Sequence, residues 1–316
     1  MNPASQFELE PQVFAAPVQR FQHYEEAIQT MAGYQAALCA DAFLRRSNGL
    51  TVTDQDQPDE VFCLFPDLPN RAPLAIIGGM GPLAGALAFR QACMRFQDSR
   101  SIVLFQACSM PDRSTVILGE GSPDTALCHE VAFKLAGGVR LALTLAAPAG
   151  QPASCILACN SAHYFWQLVV NELGNLAEQV KMISLVESSV DALRSLSCRK
   201  ALLLTTEGAQ TGKVFSAPCC DSGIAFDEPS PALNHLLMRT VFEGIKSMDE
   251  RRAVEIGNEL FETIMRSEQD YDCVLAGCTE LPLTIDLLKL KGSPEVAAFL
   301  SRVKIVNPIE EALRHA

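Results

Sequence analysis

From Leu74 onward the chain alternates short apolar runs with segments of helical pattern, and that alternation narrows the fold more than any other feature. The runs are LAIIGG, SIVLF, CILA, KMISLV, ALLLTT, CVLAG and KIVNP, with helical patterns beginning at Pro82, near Asp124 and at Ser161. Strands alternating with helices form parallel βαβ units, whose functional residues lie beyond the carboxyl ends of the strands. Chemistry is therefore expected just after each apolar run.

Two of the runs share a pattern. Cys155 to His163 reads CILACNSAH and Cys273 to Leu281 reads CVLAGCTEL, each an apolar strand ending in a cysteine with small polar residues and then a helix. LAIIGGMG and ALLLTTEG also correspond. Because 316 residues with 48% hydrophobic content suffice for two cores, the expected fold is α/β. It has two pseudo-symmetric domains, each a mostly parallel sheet flanked by helices. Residues 71–172 with 300–316 are assigned to the first domain and 173–299 to the second, leaving 1–70 as an N-terminal helical extension and linker. Within that extension Phe21, Tyr24, Ile28, Met31 and Leu38 recur at helical spacing, predicting a helix over Phe21 to Arg46. Ser47 to Pro73, with TVTDQDQPDE and PDLPN, reads as linker.

Several classes of function are set aside. With 25 basic against 37 acidic residues the formal charge is −12, which disfavours a nucleic-acid partner. The start MNPASQFELEPQ lacks the pattern of a secretory signal, and Leu141 to Asn171, the longest uncharged stretch, is interrupted by Pro148, Gly150, Gln151, Pro152 and polar residues, so no membrane span is expected. Twelve cysteines without a CxxC pair indicate reduced thiols in a cytoplasm, with no metal site.

The segment LAIIGGMGPLAG suggests an anion cradle: a strand, glycines and a helix start at Pro82. Gly79, Gly81 and Ala84 fit the dinucleotide fingerprint G-x-G-x-x-G/A. The second strand, however, ends in Gln106 where that fingerprint wants an acid to hold the ribose, and Asp98 precedes the strand. A carboxylate suits the loop as well as a pyrophosphate does, and a glycine turn that only packs helix against sheet is the remaining reading.

Cys159 and Cys278 each sit where a strand gives way to a helix, a position that stabilises a thiolate. Two thiols facing one cleft allow one to take a proton from a carbon acid while the other returns a proton to the opposite face. A single such cysteine would read as a buried filler, but Asn160 and Ser161 beside one and Thr279 and Glu280 beside the other are polar groups a filler does not need.

LAIIGGMGP, ACNSAHYFW and AGCTELPL resemble the signature segments of the aspartate/glutamate racemase family, and SMPDRST resembles a motif of its aspartate branch. The resemblance covers roughly Leu74 to Ala316. It implies a cofactor-independent racemase, commonly a homodimer, with a small amino acid in the cleft between the domains. It further implies that Cys159 and Cys278 are the acid/base pair, and that Gly79, Met80, Gly81, Asn160, Ser161 and Thr279 hold the α-carboxylate. His163 and Glu280 fall at supporting polar positions; for His163 a role in bracing its helix stands equally open. Arg113, in the PDR motif, matches a clamp for the distal carboxylate, a task a guanidinium fork suits; the alternative is a surface ion pair with Asp112. The family's lysine of the second domain has no counterpart in Cys219 to Thr240, which Lys213 and Lys246 flank.

No G-x-S-x-G, H-E-x-x-H or phosphate-loop motif is present, and no motif nominates a Schiff-base lysine. The expected function is racemisation of aspartate or glutamate. The alternatives are a relative acting on another carbon acid and a non-catalytic protein that binds an acidic amino acid.

Overall fold

Two sheets carry the chain, and they repeat one strand order. The computed structural model describes residues 16–50, 58–120, 124–146, 152–267 and 269–316. The readings placed on residues 1–15, on the acidic stretch at 51–57 and on the chain breaks at 148–151 lie outside these.

The first half runs β1 (Val18–Phe21), α1 (Tyr24–Ser47), β2 (Glu60–Leu64), β3 (Leu74–Gly78), α2 (Pro82–Phe96), β4 (Ile102–Gln106), α3 (Arg113–Glu120), α4 (Ala126–Ala146), β5 (Ala153–Leu157), α5 (Trp166–Leu173) and β6 (Val180–Ile183). The second runs α6 (Leu185–Ser195), β7 (Ala201–Leu203), α7 (Glu207–Thr211), α8 (Ser216–Asp221), β8 (Phe226–Asp227), α9 (Pro231–Arg239) and a π-helical turn over Thr240–Lys246. It continues through α10 (Glu250–Arg266), β9 (Cys273–Leu275), α11 (Leu281–Lys291), α12 (Pro294–Arg302), β10 (Lys304–Val306) and α13 (Pro308–His315).

The first sheet is ordered β1-β2-β4-β3-β5-β6 and the second β10-β9-β7-β8. Read from the matching edge, β4-β3-β5-β6 and β8-β7-β9-β10 have the same order, and all their pairings are parallel. In each, the first strand lies between the second and third, so the connections leave in opposite directions and open a crevice at the carboxyl ends. β3 and β5 flank one crevice, β7 and β9 the other. Among the described residues only β2, antiparallel to β4, breaks the parallel pattern.

Both faces of the first sheet are covered, which is why its strands read as unbroken apolar runs. On one face Ile77, Val103 and Leu157 pack with Val131, Leu135 and Val139 of α4. On the other, Ile76, Leu104 and Phe62 pack with Phe89 of α2, Met31 of α1 and Leu313 of α13. Phe62, Phe89 and Met31 are among the largest fully buried side chains, each contributing about 1.5–3 kcal/mol relative to exposure. The second sheet is likewise enclosed, by Leu260, Phe261 and Leu288 on one side and Leu193 and Phe215 on the other.

Strand pairings run across the expected divisions. β1 and β2, inside the stretch read as extension and linker, are hydrogen-bonded into the first sheet. β6, in the stretch given to the second domain, pairs with β5. β10, in the C-terminal stretch given to the first domain, pairs with β9, while α13 after it returns to the first core. The helix predicted over Phe21 to Arg46 is α1, with Phe21 instead closing β1. Among the described residues no helix is long and apolar enough to cross a membrane.

Candidate active site

The carboxyl ends of β3, β5 and β9 converge on one cavity, lined among others by Met80, Cys159, Asn160, Cys278, Thr279 and Glu280. Only about 20 Å³ of it is open to the centre of a water molecule, room for about one water.

Cys159 follows β5 and Cys278 follows β9, the equivalent strands of the two sheets. Both are free thiols, 8% and 5% exposed, and both line the cavity. The Cys278 thiol donates to Glu280 Oε2 at 2.9 Å, an oxygen that also accepts from Thr279 Oγ1 at 3.1 Å. Burial pushes the Cys278 pKa well above its ordinary value, and the Glu280 charge and hydrogen bond push it further; a backbone hydrogen bond and Lys246 offset this only in part. The thiol rather than the thiolate is therefore the favoured form of Cys278.

Asn160 is 2% exposed, yet neither its Oδ1 nor its Nδ2 has a hydrogen-bond partner. Glu280 Oε1 and Arg113 Nε are buried and unpartnered as well. Buried polar atoms are normally satisfied, and each orphan costs about 1–3 kcal/mol. Their concentration around one cavity marks a place built to bond something else.

The model of the Asp/Glu/hydantoin racemase family matches residues 77–316. The chain belongs to that family. Among solved structures it is similar to the aspartate racemase of Picrophilus torridus, with 17% identity, 78% of this chain and 92% of the other covered, and a TM-score of 0.59. It is also similar to an aspartate racemase homologue from Pyrococcus horikoshii, at 17% identity, 78% and 97% coverage and a TM-score of 0.49. The glutamate racemase of Francisella tularensis gives 13% identity, 78% and 79% coverage and a TM-score of 0.47. The fold is shared with the Picrophilus torridus enzyme at low identity.

The glycine loop touches the cavity through one residue. Met80 lines the cavity, whereas Gly79 and Gly81 are not among its lining residues. Gly79 has φ of +83°, and a Cβ there would fall 2.2 Å from the Ala107 nitrogen, so its need for glycine comes from packing against the end of β4. Gly81 has extended backbone, but a Cβ would lie 1.7 Å from Glu280 Oε1. The loop of one half therefore admits a carboxylate of the other. Gln106, the residue standing where a dinucleotide site wants an acid, folds beneath this loop and donates to the Pro82 carbonyl at 2.9 Å.

Arg113 opens α3 and is 4% exposed, which removes the surface ion-pair reading. Its guanidinium donates to the carbonyls of Met110 (3.3 Å), Pro111 (2.6 Å) and Met80 (2.7 Å), fastening the glycine loop while still lining the cavity. Asp112 turns instead to Thr115 and to Lys246 Nζ at 4.0 Å. Burial raises its pKa, but the Thr115 N–H, Lys246 and Arg113 outweigh that and hold it below the ordinary value.

His163 is a brace. Its Nε2 accepts the Leu185 N–H at 3.0 Å, so its Nδ1 carries the proton given to the Cys159 carbonyl at 3.0 Å. Burial lowers its pKa to about 4 against the opposing pull of the Cys159 and Asn160 backbones. The neutral ring, stacked on Trp166 at 5.0 Å, ties the Cys159 turn to the start of α6. Ser161 Oγ pairs with Thr206 Oγ1 at 3.0 Å across the two halves.

Five lining residues were given no role by sequence reasoning: Ser114, Thr206, Val241, Phe242 and Lys246. Thr206 follows β7, the position equivalent to the glycine loop after β3, and the correspondence of ALLLTTEG with LAIIGGMG was the available signal. Lys246, 7% exposed, reaches the cavity from the π-helical turn, with Nζ 4.9 Å over the Phe242 ring. No motif pointed to it.

Proposed function

We propose that the protein racemises an acidic amino acid, aspartate or glutamate, without a cofactor, by proton transfer between Cys159 and Cys278. The observation that carries this reading is the pair of free thiols at equivalent strand ends of two halves, lining one cavity beside the unsatisfied Asn160 amide.

In one direction the Cys159 thiolate takes the α-proton and becomes a thiol, the electron pair stays on the α-carbon, and the Cys278 thiol delivers its proton to the opposite face. Cys278 is then the thiolate that begins the reverse reaction, so protons balance over the pair. Glu280 Oε2, at hydrogen-bond distance from Cys278 Sγ, favours the thiol form on that side. Asn160, Ser161 and Thr279 bind the α-carboxylate, with Met80 closing over it. Arg113 and Lys246 supply positive charge toward the distal carboxylate, which a −12 chain must provide locally.

The test is incubation of each enantiomer of aspartate and glutamate in deuterated buffer, followed by chiral chromatography and mass measurement. Inversion with incorporation of one deuterium at the α-carbon is expected. Neither inversion nor exchange for either amino acid would sink the reading, and a panel including neutral amino acids and hydantoins separates it from action on another carbon acid.

A further inference from the structure

The family match begins at residue 77 and leaves α1 outside it, yet α1 packs on the segment that follows Lys246 of the cavity wall. Its first turn is fixed to the first domain: the Tyr24 N–H donates to Asp98 Oδ1 at 2.9 Å, and Ala27 and Met31 are fully buried in the first core. Its last turn is fixed to the second. Arg46 donates through Nη1 to the Ser247 carbonyl and through Nη2 to the Met248 carbonyl at 3.2 Å, and its Nε lies 3.5 Å from Asp249 Oδ2. Between them Leu38 and Ala42 enclose Met248, with Leu83 of α2 beside them.

These second-domain residues directly follow Lys246 and close the π-helical turn that carries it. Ser247, Met248 and Asp249 donate backbone N–H groups to Phe242, Ile245 and Gly244, and Met248 holds the left-handed conformation at φ of +55°. A π-turn ending in a left-handed non-glycine residue persists only where its surroundings over-determine it. The surroundings include α10, whose Ala253 packs against Gly244, and α1, which adds a guanidinium grip on two backbone carbonyls and the Asp249 carboxylate, with an apolar seat for Met248.

We infer that α1 is a strap across the two domains and that Arg46 is a positioning residue, setting Lys246 against Asp112 at the cavity wall. The kinetic part rests on the racemase reading; the placement of Lys246 does not. A charge that holds the distal carboxylate equally in the ground and transition states changes KM and leaves kcat. Loosening Arg46 should therefore act on KM, and should act through Lys246.

The experiment uses the full chain with Arg46→Ala, Arg46→Lys, Lys246→Met and the Arg46→Ala/Lys246→Met double variant. Arg46→Gln, which keeps the stem of this partly exposed side chain, replaces Arg46→Ala if that variant does not fold. The expected results are a KM for aspartate raised at least fivefold with kcat within twofold in Arg46→Ala, partial recovery in Arg46→Lys, and a double variant no worse than Lys246→Met alone. Independently of turnover, acetylation of Lys246, followed by mass spectrometry, should quicken about tenfold in Arg46→Ala while Lys213 is unchanged. Unaltered Lys246 labelling in a folded variant, or additive effects on KM, would overturn the inference. If the wild type turns over no acidic amino acid, the functional proposal fails and the labelling alone decides this one.

Discussion

Replacing Gly79 with alanine separates what the glycine loop does for the fold from what it does for the site. At φ of +83° a side chain costs about 1–2 kcal/mol in backbone strain. The new Cβ would also stand 2.2 Å from the Ala107 nitrogen and 2.6 Å from the Gln106 carbonyl carbon, backbone atoms at the end of β4 that cannot swing aside. Overpacking of that kind adds about 1–3 kcal/mol, so Gly79→Ala should lose roughly 2–5 kcal/mol, a large share of the ~5–15 kcal/mol typical of a native domain. Gly81→Ala makes the contrast. Its backbone is extended, and its Cβ would meet only the tip of the Glu280 side chain, 1.7 Å away, which can rotate. Stability should change by less than about 1 kcal/mol, but the rotation breaks the 2.9 Å contact between Cys278 and Glu280. Loss of support to one proton-transfer group should cost about 100-fold in kcat. Urea titration with activity scaled to the folded fraction reads both numbers. An unshifted midpoint for Gly79→Ala, or a Gly81→Ala variant whose activity falls only as far as its folded fraction, would refute the reasoning.

Asn160→Leu should stabilise the unliganded protein by about 1 kcal/mol in urea titration, because it removes two unpaired buried atoms, and should abolish turnover; a less stable variant would contradict this. Glu280→Gln removes a charge that raises the Cys278 pKa, so the alkaline limb of the kcat/KM profile should move to lower pH; an unmoved limb would exclude Cys278 from it. His163 has a folded pKa of about 4, below its reference of 6.5. The neutral ring therefore stabilises fully above 6.5, and that contribution is lost as the pH falls through 4. Thermal melts between those values should show less pH dependence in His163→Asn than in the wild type.

Sequence exposed what rests on local pattern. Every apolar run named from Leu74 onward forms a strand, and the two cysteines lie at equivalent places because CILACNSAH and CVLAGCTEL carry the same strand-to-turn pattern. β2 was hidden because its apolar VFCL is flanked by acidic and proline-rich segments that read as linker. What the glycines are for was equally hidden: Gly79 answers to Ala107 and Gly81 to Glu280, partners that only tertiary packing supplies. Arg113 lines the cavity, and its hold on three backbone carbonyls is a tertiary contact that the PDR motif could not announce. Lys246 had no motif because an irregular turn after α9, not a strand end, carries it inward.

The repeated strand order also bears on handedness. A chain of L-residues has no mirror plane with which to treat two mirror-image substrates alike, but it can have a rotation. Matching the two strand orders pairs β5 with β9, and with them the two thiols. On the proposed reading, a flattened carbanion held between a rotated pair of such strand ends meets the same kind of group from above and from below. Even-handed treatment of both enantiomers then comes from duplicated architecture, and departures from the duplication, such as Glu280 on one side and His163 on the other, are where a preference between them would arise.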